Sequence, residues 1–347
     1  MKIALLIDAW LPFLGGGQKA VLEVSKILKK EKKADFIIFH SFGSHILARF
    51  LWSFYAVPQV VFHHIFIKRF DIIDARAFSA GFPGKVASLI LGIPIVYTVN
   101  GCGSLDRKSR NIMAVIEKWL LTGIKYDQQI SDSRHFLKYK NVNKNIIIIP
   151  NGVDLQKFDQ VKVKKNKLFT IIYVGRLAKI KGLIYLLKAI KLLKEKKSSF
   201  VLKIIGQGEE GQFLKGYTKK NNLGKWVKFL GEIKGERLIK EFISSHLFVL
   251  PSLAEGQPIT LLEAWAAGLA VVATKVGSIP FYLNSGNGWL VKPTDVQELS
   301  KAIIKAMDLS KTKLFFKGKN GYSLVKKNYT WEKSAMAYLG VYEKINN

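Results

Sequence analysis

The sequence predicts an α/β protein built from two doubly wound units, each a parallel sheet covered by helices on both faces. Short, continuously apolar runs, such as residues 3–7, 94–99 and 146–149, are typical of parallel strands buried on both sides. Strand-like and helix-like patterns alternate along the whole chain, as doubly wound sheets require. The 347 residues, 49% of them hydrophobic, are enough for two packed cores.

The elements predict where the first unit ends. The strand at 3–7 precedes a loop with Gly15, Gly16 and Gly17, and the strand at 146–149 runs into the turn Pro150-Asn151-Gly152. A lysine-rich stretch at 161–167 follows and is the expected boundary. We therefore expect domains at 1–160 and 161–330, with a final helix over 331–347.

A pair of glutamates marks the second domain. The apolar strand at 247–250 ends in Pro251-Ser252, and a polar loop leads to a helix expected to begin near Pro258. Glu255 lies in the loop and Glu263 about a turn and a half inside the helix. At ~1.5 Å rise per residue the pair spans on the order of 10 Å, with the unpaired amides of the helix start between them. This arrangement suits a nucleotide sugar; two glutamates without a ligand role are the open alternative.

Two cations follow an earlier strand in the same domain. The strand at 168–174 runs into Gly175-Arg176, and Lys181-Gly182 stand just before a helix with a periodic apolar face. Gly175 lets the backbone turn at the carboxyl end of the strand, where open α/β sheets bind ligands. Arg176 can bind a diphosphate as a fork and Lys181 as a point charge.

Six motifs, in this order, resemble those of the family-4 retaining glycosyltransferases of the GT-B fold. They are Gly15-Gly16-Gly17, residues 149–154, residues 174–182, residues 205–208, residues 229–231, and Pro251-Ser252 with the stretch from Glu255 to Glu263. The resemblance covers nearly the whole chain and is closer in the second half. It implies two Rossmann-like domains facing across a cleft, the first on the acceptor side, and a last helix that crosses back to the first domain.

The resemblance also implies a function and a set of site residues. The chain would be a hexosyltransferase moving a sugar from a nucleotide-diphosphate donor to a glycan, glycolipid or lipid-linked acceptor in cell-surface polysaccharide or glycolipid synthesis. Arg176 and Lys181 would neutralise the leaving diphosphate, Glu255 would hold the transferred sugar, and Glu263 would bind the ribose. The further donor-binding positions implied are Gly15, Gly16, Gly17, Gly175, Gly206, Gly208, Ile233, Gly256, Gln257, Pro258 and Ile259.

The family suggests front-face substitution, in which the leaving phosphate takes the acceptor's proton and no protein nucleophile is needed. The chain has no Asp-x-Asp motif, and two cations at the diphosphate make a divalent ion unnecessary. We therefore expect no cofactor and no metal. The single cysteine, Cys102, allows no internal disulfide and fits a reducing cytoplasm.

The chain departs from the family where many relatives carry histidines. Asn100 stands at the expected cleft floor, and Asp74 and Arg76 stand on the preceding strand. Because an amide does not titrate near neutrality, Asn100 is expected to contact a sugar hydroxyl or a donor phosphate without transferring a proton. The effect of the other two replacements is open. His63 and His64 are expected to be surface or packing residues on an earlier strand.

Charge and one aromatic segment bear on partners. Lys and Arg number 55 against 25 acids, a net +30, which compositional bias, membrane proximity or polyanion binding would explain; no specific nucleic-acid module is recognisable. Residues 45–57 predict either a surface that lies in the headgroups of an anionic membrane, or a core helix in which Phe50, Leu51 and Phe54 pack on the sheet.

No apolar stretch reaches the ~18 residues of a transmembrane helix. We expect a cytoplasmic protein, with peripheral contact at the inner face of the plasma membrane as a further option. Two other functions are open: another GT-B sugar enzyme, such as a phosphorylase or an epimerase, and a non-catalytic nucleotide-sugar-binding or basic scaffold protein. The intact set of Arg176, Lys181, Glu255 and Glu263 favours transfer.

Overall fold

The computed structural model describes residues 1–7, 15–41, 46–99, 112–138, 145–197 and 199–346. The chain divides into two compact units, Met1–Gly152 with Trp331–Asn347, and Val153–Thr330. In each unit the described strands form a six-stranded sheet with parallel pairing throughout. The α/β class expected from the alternating patterns is confirmed.

The first unit has the strand order β2-β1-β3-β4-β5-β6. Its strands β1 to β6 are Lys2–Ile7, Asp35–His40, Ile72–Arg76, Ile95–Val99, Gln128–Ser131 and Ile146–Ile148. Its described helices α1 to α4 are Gly16–Lys30, Ile46–Phe62, Gly81–Leu91 and Ile112–Thr122. Short 3₁₀ turns lie at Phe78–Ala80 and Arg134–Lys138. Strands β3, β4 and β5 are buried along their whole length and β1 from Ile3 onward, whereas β2 and β6 are half-buried.

The second unit has the order β12-β11-β10-β7-β8-β9. Its strands β7 to β12 are Phe169–Val174, Phe200–Ile205, Val227–Gly231, Leu247–Leu250, Ala270–Thr274 and Gly288–Val291. Its helices α5 to α11 are Leu155–Asp159, Leu183–Lys196, Gly211–Lys220, Gly235–Ser244, Ile259–Ala266, Val296–Asp308 and Lys311–Asn328. Short 3₁₀ turns lie at Lys179–Lys181 and Ile279–Phe281. Each strand of this unit is followed along the chain by a helix or a short turn.

The second unit begins at Val153, not at residue 161 as the lysine-rich stretch suggested. The amide of Val153 donates to the carbonyl of Tyr329 at 3.0 Å. Phe158, on α5, is buried and contacts the ring of Phe242 at 6.3 Å between centroids. The boundary lies earlier because these apolar side chains complete the core of the second unit.

The last helix, α12 at Trp331–Asn346, belongs to the first unit. The hydroxyl of Tyr342 donates to Asp74 at 2.6 Å, and the guanidinium of Arg76 donates to the same carboxylate at 2.8 and 2.9 Å. Arg76 also lies 4.4 Å from the ring centroid of Tyr338. Asp74 and Arg76 are fully buried. The two residues that replace family histidines therefore attach the last helix to the sheet.

Charge attraction keeps the buried guanidinium of Arg76 ionised. Burial opposes the charge on Arg76, but the attraction of Asp74, Tyr338 and Tyr342 holds the pKa of its guanidinium above the usual value. Burial, and then the charge of Asp74, raise the pKa of Tyr342, so its hydroxyl stays protonated and can donate. The group forms a polar network inside an apolar unit, in which one guanidinium nitrogen of Arg76 has no hydrogen-bond partner among the described residues.

Helix α2 differs from the core interpretation of the 45–57 segment. It extends to Phe62, and His63–Ile67 continue it as a π-helical turn, so the strand expected at His63 and His64 is wrong. His63 does pack, stacked on Phe70 at 5.1 Å. Leu51 and Phe54 are 49% and 66% exposed, so the core reading is wrong for both, whereas Trp52 is buried. The side chain of Phe50 lies outside the description.

Among the described residues, no helix combines the length and the apolar character needed to cross a membrane.

Candidate functional site

The sheet of the second unit has one point where its winding reverses. The chain builds outward from β7 through β8 and β9 on one side, and through β10, β11 and β12 on the other. Loops that leave neighbouring strands in opposite directions open a crevice at their carboxyl ends, where doubly wound sheets bind ligands. Gly175-Arg176 follow β7 and Pro251-Ser252 follow β10. The two predicted motifs therefore meet at this switch point.

Lys181 and Glu255 are in direct contact there. The ammonium of Lys181 lies 2.7 Å from Oε1 of Glu255, and the hydroxyl of Ser252 donates to the same oxygen at 2.6 Å. The side chain of Lys181 is 24% exposed and that of Glu255 only 6%. The sequence predicted both as ligands but not their pairing. The side chain of Glu255 is thus buried and held by two donors, and Lys181 is the more exposed partner of the pair.

Arg176 is the exposed cation of the site. Its side chain makes no hydrogen bond or ion pair with any residue in the described ranges. Its backbone is held instead: the hydroxyl of Tyr173 donates to the carbonyl of Arg176 at 3.0 Å. Burial, followed by the nearby charge of Glu255, raises the pKa of Tyr173, which keeps this donor protonated. A held backbone with an exposed guanidinium is suited to bind an anion.

Glycines bring the loops after β7 and β8 into backbone contact. The amide of Gly175 donates to the carbonyl of Ile205 at 3.0 Å, and that of Leu177 to Gln207 at 2.8 Å. A side chain at Gly206 would overlap the carbonyl of Gly175, and one at Gly208 would overlap Leu177. Gly206 also has a φ of +134°, which favours glycine. Gly175, Gly206 and Gly208 therefore form one layer beside the switch point.

The loop after β9 joins the same edge. The amide of Gly206 donates to the carbonyl of Gly231 at 2.7 Å, which places the 231–233 loop next to the glycine layer. Ile233 is buried against the unit's core, whereas Glu232 is exposed and paired with Lys234 at 2.9 Å. Ile233 thus offers an apolar floor near the glycines.

Helix α9 begins at Ile259, with Pro258 as the residue before its first turn. No side chain caps this helix start, so its first amides are open to a ligand or to water. Gln257, Ile259 and Glu263 are each 6–7% exposed. Glu263 lies about one and a half turns into the helix, as expected.

The loop that carries Glu255 is fixed by a turn that sequence reasoning missed. The amide of Ser278 donates to the carbonyl of Gly256 at 3.1 Å. Gly277, with φ +54°, lies so close to Glu255 that a Cβ there would overlap its carbonyl oxygen. Ser252 was also missed, although its position three residues before Glu255, directly after a buried strand, was a usable signal. For Gly277 the sequence holds no comparable signal.

Of the residues predicted in the first unit, the three glycines at the start of α1 are described. Gly15 precedes α1, and its amide donates to the side chain of Gln18 at 3.0 Å. Gly16 and Gly17 open the helix, with Gly15 and Gly16 exposed. Asn100 and Cys102 lie outside the described residues.

Comparison with known proteins gives a family and a fold. Residues 154–320 match the family model described as glycosyl transferases group 1. The chain is 28% identical over 287 residues to the UDP-Gal:alpha-D-GlcNAc-diphosphoundecaprenol alpha-1,3-galactosyltransferase of Escherichia coli, covering 75% of this chain and 73% of that protein. It is 26% identical to one component of the Homo sapiens phosphatidylinositol N-acetylglucosaminyltransferase, covering 99% of this chain and 76% of the relative.

A solved structure agrees over the whole length. Anabaena HepE in complex with UDP-glucose superposes with a TM-score of 0.80 at 19% identity, covering 99% of this chain and 100% of that one. At this identity the likeness shows the fold, which is GT-B, as the motifs implied.

Proposed function

We propose that this chain, a glycosyltransferase whose residues 154–320 match the group 1 family model, transfers a hexose from a UDP-sugar to a lipid-linked acceptor with retention of configuration. Two findings support the substrates. The Escherichia coli relative uses UDP-Gal and a diphosphoundecaprenol-linked sugar, and the human relative takes its name from phosphatidylinositol. HepE, which shares the fold, binds UDP-glucose.

The observation that carries the proposal is the Lys181–Glu255 pair beside exposed Arg176 at the switch point. In the proposed complex, Arg176 and Lys181 bind the diphosphate, and Glu255 accepts hydrogen bonds from hydroxyls of the transferred sugar. A lysine that already contacts the sugar-binding carboxylate would join the two halves of the donor. Charge that develops on the leaving diphosphate is then stabilised by groups already in position.

The remaining positions complete the donor site in this proposal. Glu263 accepts from the ribose hydroxyls, and the amides of the α9 start bind phosphate oxygen, Pro258 excepted because proline has no amide hydrogen. The nucleobase lies along the layer of Gly175, Gly206 and Gly208 with Ile233. Gly256, Gln257 and Ile259 line the sugar, and Gly15, Gly16 and Gly17 are further donor-binding positions. Asn100 contacts a sugar hydroxyl or a phosphate oxygen.

The proposed reaction is a front-face substitution. The bond between the anomeric carbon and the diphosphate oxygen breaks, and the acceptor oxygen bonds to the same face of that carbon. The acceptor's proton passes to the leaving phosphate oxygen, so UDP is released protonated and no protein nucleophile is used. Positioning and electrostatic stabilisation supply the acceleration.

We further propose that the reaction needs no metal, since two cations already face the diphosphate. Adding a chelator should leave the rate of the wild-type enzyme within about twofold. The loss of one group that stabilises the developing charge should instead lower the rate by about two to three orders of magnitude.

Because nucleotide sugars and lipid-linked acceptors meet at the inner face of the plasma membrane, we propose that the protein acts there.

Donor screening followed by transfer tests the function. Thermal shift with UDP, GDP and ADP should show stabilisation by UDP above the others. Radiolabelled UDP-glucose, UDP-galactose and UDP-N-acetylglucosamine are then incubated with a polyprenyl-diphosphate-linked sugar, and the butanol phase is counted. Label in the butanol phase from one donor supports the proposal. Binding of UDP with no transfer from any of the three donors would reject it in favour of a nucleotide-binding role.

A further inference from the structure

Helix α2 of the first unit turns an apolar face outward. Its inward stripe is Trp52, Ala56 and Val60, all buried. Between residues 51 and 66 the large apolar side chains that face solvent form two groups, one on each side of exposed Pro58 and Gln59. These are Leu51, Phe54, Tyr55, Phe62, Ile65 and Phe66, each 49–71% exposed. A helix at the surface of a soluble protein carries polar groups there, and a helix apolar on all sides is typical of a buried or membrane-bound one.

Two neighbouring helices extend this surface. Helix α3, which packs on α2, exposes Phe82, Leu89 and Ile90, and α4 exposes Trp119. The rings of Phe82 and Trp119 lie 6.2 Å apart, which joins α3 to α4. We call the exposed apolar side chains of α2, the π-helical turn, α3 and α4 the apolar face. Soluble monomers seldom expose so many large apolar groups together, and such patches mark an interaction surface.

The charge around the apolar face is mainly positive. From residue 36 to residue 70 the sequence contains no Asp or Glu. The π-helical turn ends beside Lys68, which pairs with Asp35 at 2.9 Å, and exposed Arg69. Helix α4 carries exposed Lys118 next to Glu117 in the sequence. The nearest acids farther along are engaged: Asp71 accepts from the amide of Lys2 at 2.7 Å, and Asp74 is held in its buried pair.

We propose that the apolar face docks on an anionic lipid bilayer, with the aromatic side chains in the headgroup region and Arg69 and Lys118 against lipid phosphates. Aromatic and aliphatic groups on one side with cations at the rim are the chemistry of helices that lie in a membrane interface. A second copy of this chain fits less well, because it would bring two proteins of net charge +30 together. This docking is independent of the transfer reaction and holds or fails without it.

The surface differs from the 45–57 segment that the sequence suggested. Trp52 points inward and contributes nothing to the apolar face, whereas Phe62, Ile65 and Phe66 lie beyond the segment and are among its most exposed members. Phe62 and Phe66 contact each other at 5.0 Å between ring centroids. A test built on Trp52 would therefore unfold the helix rather than probe the membrane.

Vesicle sedimentation with a matched control tests the docking. The test variant is F54Q/F62Q/F66Q. The control is F213Q/F315Q/F316Q, which removes three phenylalanines of the second unit with exposures of 51–61%. Glutamine keeps helix propensity, and all six rings face solvent, so both variants should melt close to wild type. A third variant, R69Q/K118Q, removes the two rim cations.

With vesicles of phosphatidylglycerol and phosphatidylcholine at low salt, wild type and control should sediment with the lipid. The partition coefficient of F54Q/F62Q/F66Q should fall at least about tenfold, since each ring contributes its own buried area. R69Q/K118Q should bind more weakly and lose part of the salt dependence. Pure phosphatidylcholine should bind wild type less than the anionic mixture.

Three results would overturn the proposal: wild type that stays in the supernatant, equal loss of binding in the two triple variants, or binding that is indifferent to anionic lipid. Sedimentation velocity without lipid tests whether a second copy of this chain binds the apolar face instead. A concentration-dependent dimer that only F54Q/F62Q/F66Q abolishes would assign the apolar face to a second copy of this chain instead.

Discussion

Lys181 connects the two halves of the site. Its ammonium is 2.7 Å from Glu255, whose side chain is nearly inaccessible and also accepts from Ser252. These two donors satisfy an oxygen that burial removes from water, and they hold the side chain of Glu255 in place in the absence of substrate. Arg176, earlier in the same loop, carries the charge that has no such partner among the described residues.

Removing either cation should slow transfer with little effect on folding. Arg176→Ala and Lys181→Ala should each reduce turnover by about two to three orders of magnitude, because developing charge on the diphosphate loses a stabilising partner. Lys179→Ala is the matched control, an exposed lysine of the same turn with no contact to Glu255. Initial rates at saturating donor measure the effect. Near-wild-type rates in the first two variants, or equal loss in Lys179→Ala, would remove the assignment.

Asn100 gives a second prediction at this scale. Asn100→Ala should slow transfer by tens-fold through the loss of one substrate hydrogen bond. Asn100→His should keep activity and add a pH dependence near 6–7, around the ordinary pKa of histidine of ~6.5. Rate profiles between pH 5 and pH 9 measure both. Full activity of Asn100→Ala would reduce the residue to a turn former before Gly101.

Sequence reasoning found these site residues but not their contacts. Arg176, Lys181, Glu255 and Glu263 were recognisable because each stands at a fixed offset from a buried strand or a helix start. The pairing of Lys181 with Glu255 joins positions 74 residues apart, and local pattern carries no information on such a distance. The close approach of Gly277 to Glu255 is hidden for the same reason.

At the scale of elements, α12 is held to the first unit by a buried charge. Arg76→Leu leaves Asp74 buried without its partner and should destabilise the unit by about 3–5 kcal/mol. Tyr342→Phe removes the hydrogen bond donated to Asp74 and the longer one accepted from Arg76 at 3.3 Å, and should cost about 1.5–3 kcal/mol. Tyr322→Phe is the control, since its hydroxyl bonds exposed Asp159 at 3.0 Å. Urea unfolding followed by tryptophan fluorescence gives the three values. An equal loss of unfolding free energy in Tyr322→Phe and Tyr342→Phe would show that the buried network does not hold α12 to the first unit.

His246, just before β10, makes the second unit sensitive to acid. Its Nδ1 accepts from the amide of Thr170 at 3.0 Å, and its ring stacks on Phe169 at 5.2 Å. Burial, and then the charges of Lys165 and Lys311, lower the pKa of His246 to about 4. Between pH 4 and the unfolded pKa of ~6.5, the unfolded chain binds a proton at His246 that the folded chain does not bind. The contribution of neutral His246 to the free energy of unfolding is therefore fully present above about pH 6.5 and declines as the pH falls through this window.

The expected loss between pH 7 and pH 5 is on the order of 1 kcal/mol after allowance for the partial exposure of the ring, or about 2–4 °C in Tm. Calorimetric melts of wild type and His246→Asn at the two pH values measure it. The asparagine amide can still accept from Thr170, and its melt should depend less on pH. An equal pH dependence in both proteins would assign the acid sensitivity to other groups.

The elements themselves were largely predictable, and the exceptions have physical causes. Continuous apolar runs gave β1, β4, β7 and β10 to within a residue because buried parallel strands leave no other pattern. His63 and His64 were expected on a strand but lie in the π-helical turn His63–Ile67. The apolar residues of this turn are exposed, so its apolar run does not mark a buried strand. The boundary at Val153 was missed because Phe158 looks like a linker residue until its partner Phe242 is known.

At the scale of the whole molecule, the two units carry different chemistry. The second unit holds the cations, carboxylates and glycines of the proposed diphosphate-sugar site, and the first unit holds the apolar face and the buried charge that attaches the last helix. The composition shows the excess of basic residues directly. It does not show which apolar side chains stay exposed, because that depends on which face of α2 meets the sheet. Lipid-linked acceptors, as used by the Escherichia coli relative, would be reached from such a surface.

The most direct test of the central proposal is a proton NMR time course of transfer from the UDP-sugar that the donor screen selects. The anomeric signal of the α-linked donor should decline as one new anomeric signal grows, and the coupling constant of the new signal should again be that of an α-linkage. Wild type and Lys179→Ala should give this product at similar rates, while Lys181→Ala should give about a hundredfold less. A β-linked product would contradict retention, and full activity of Lys181→Ala would contradict the site itself.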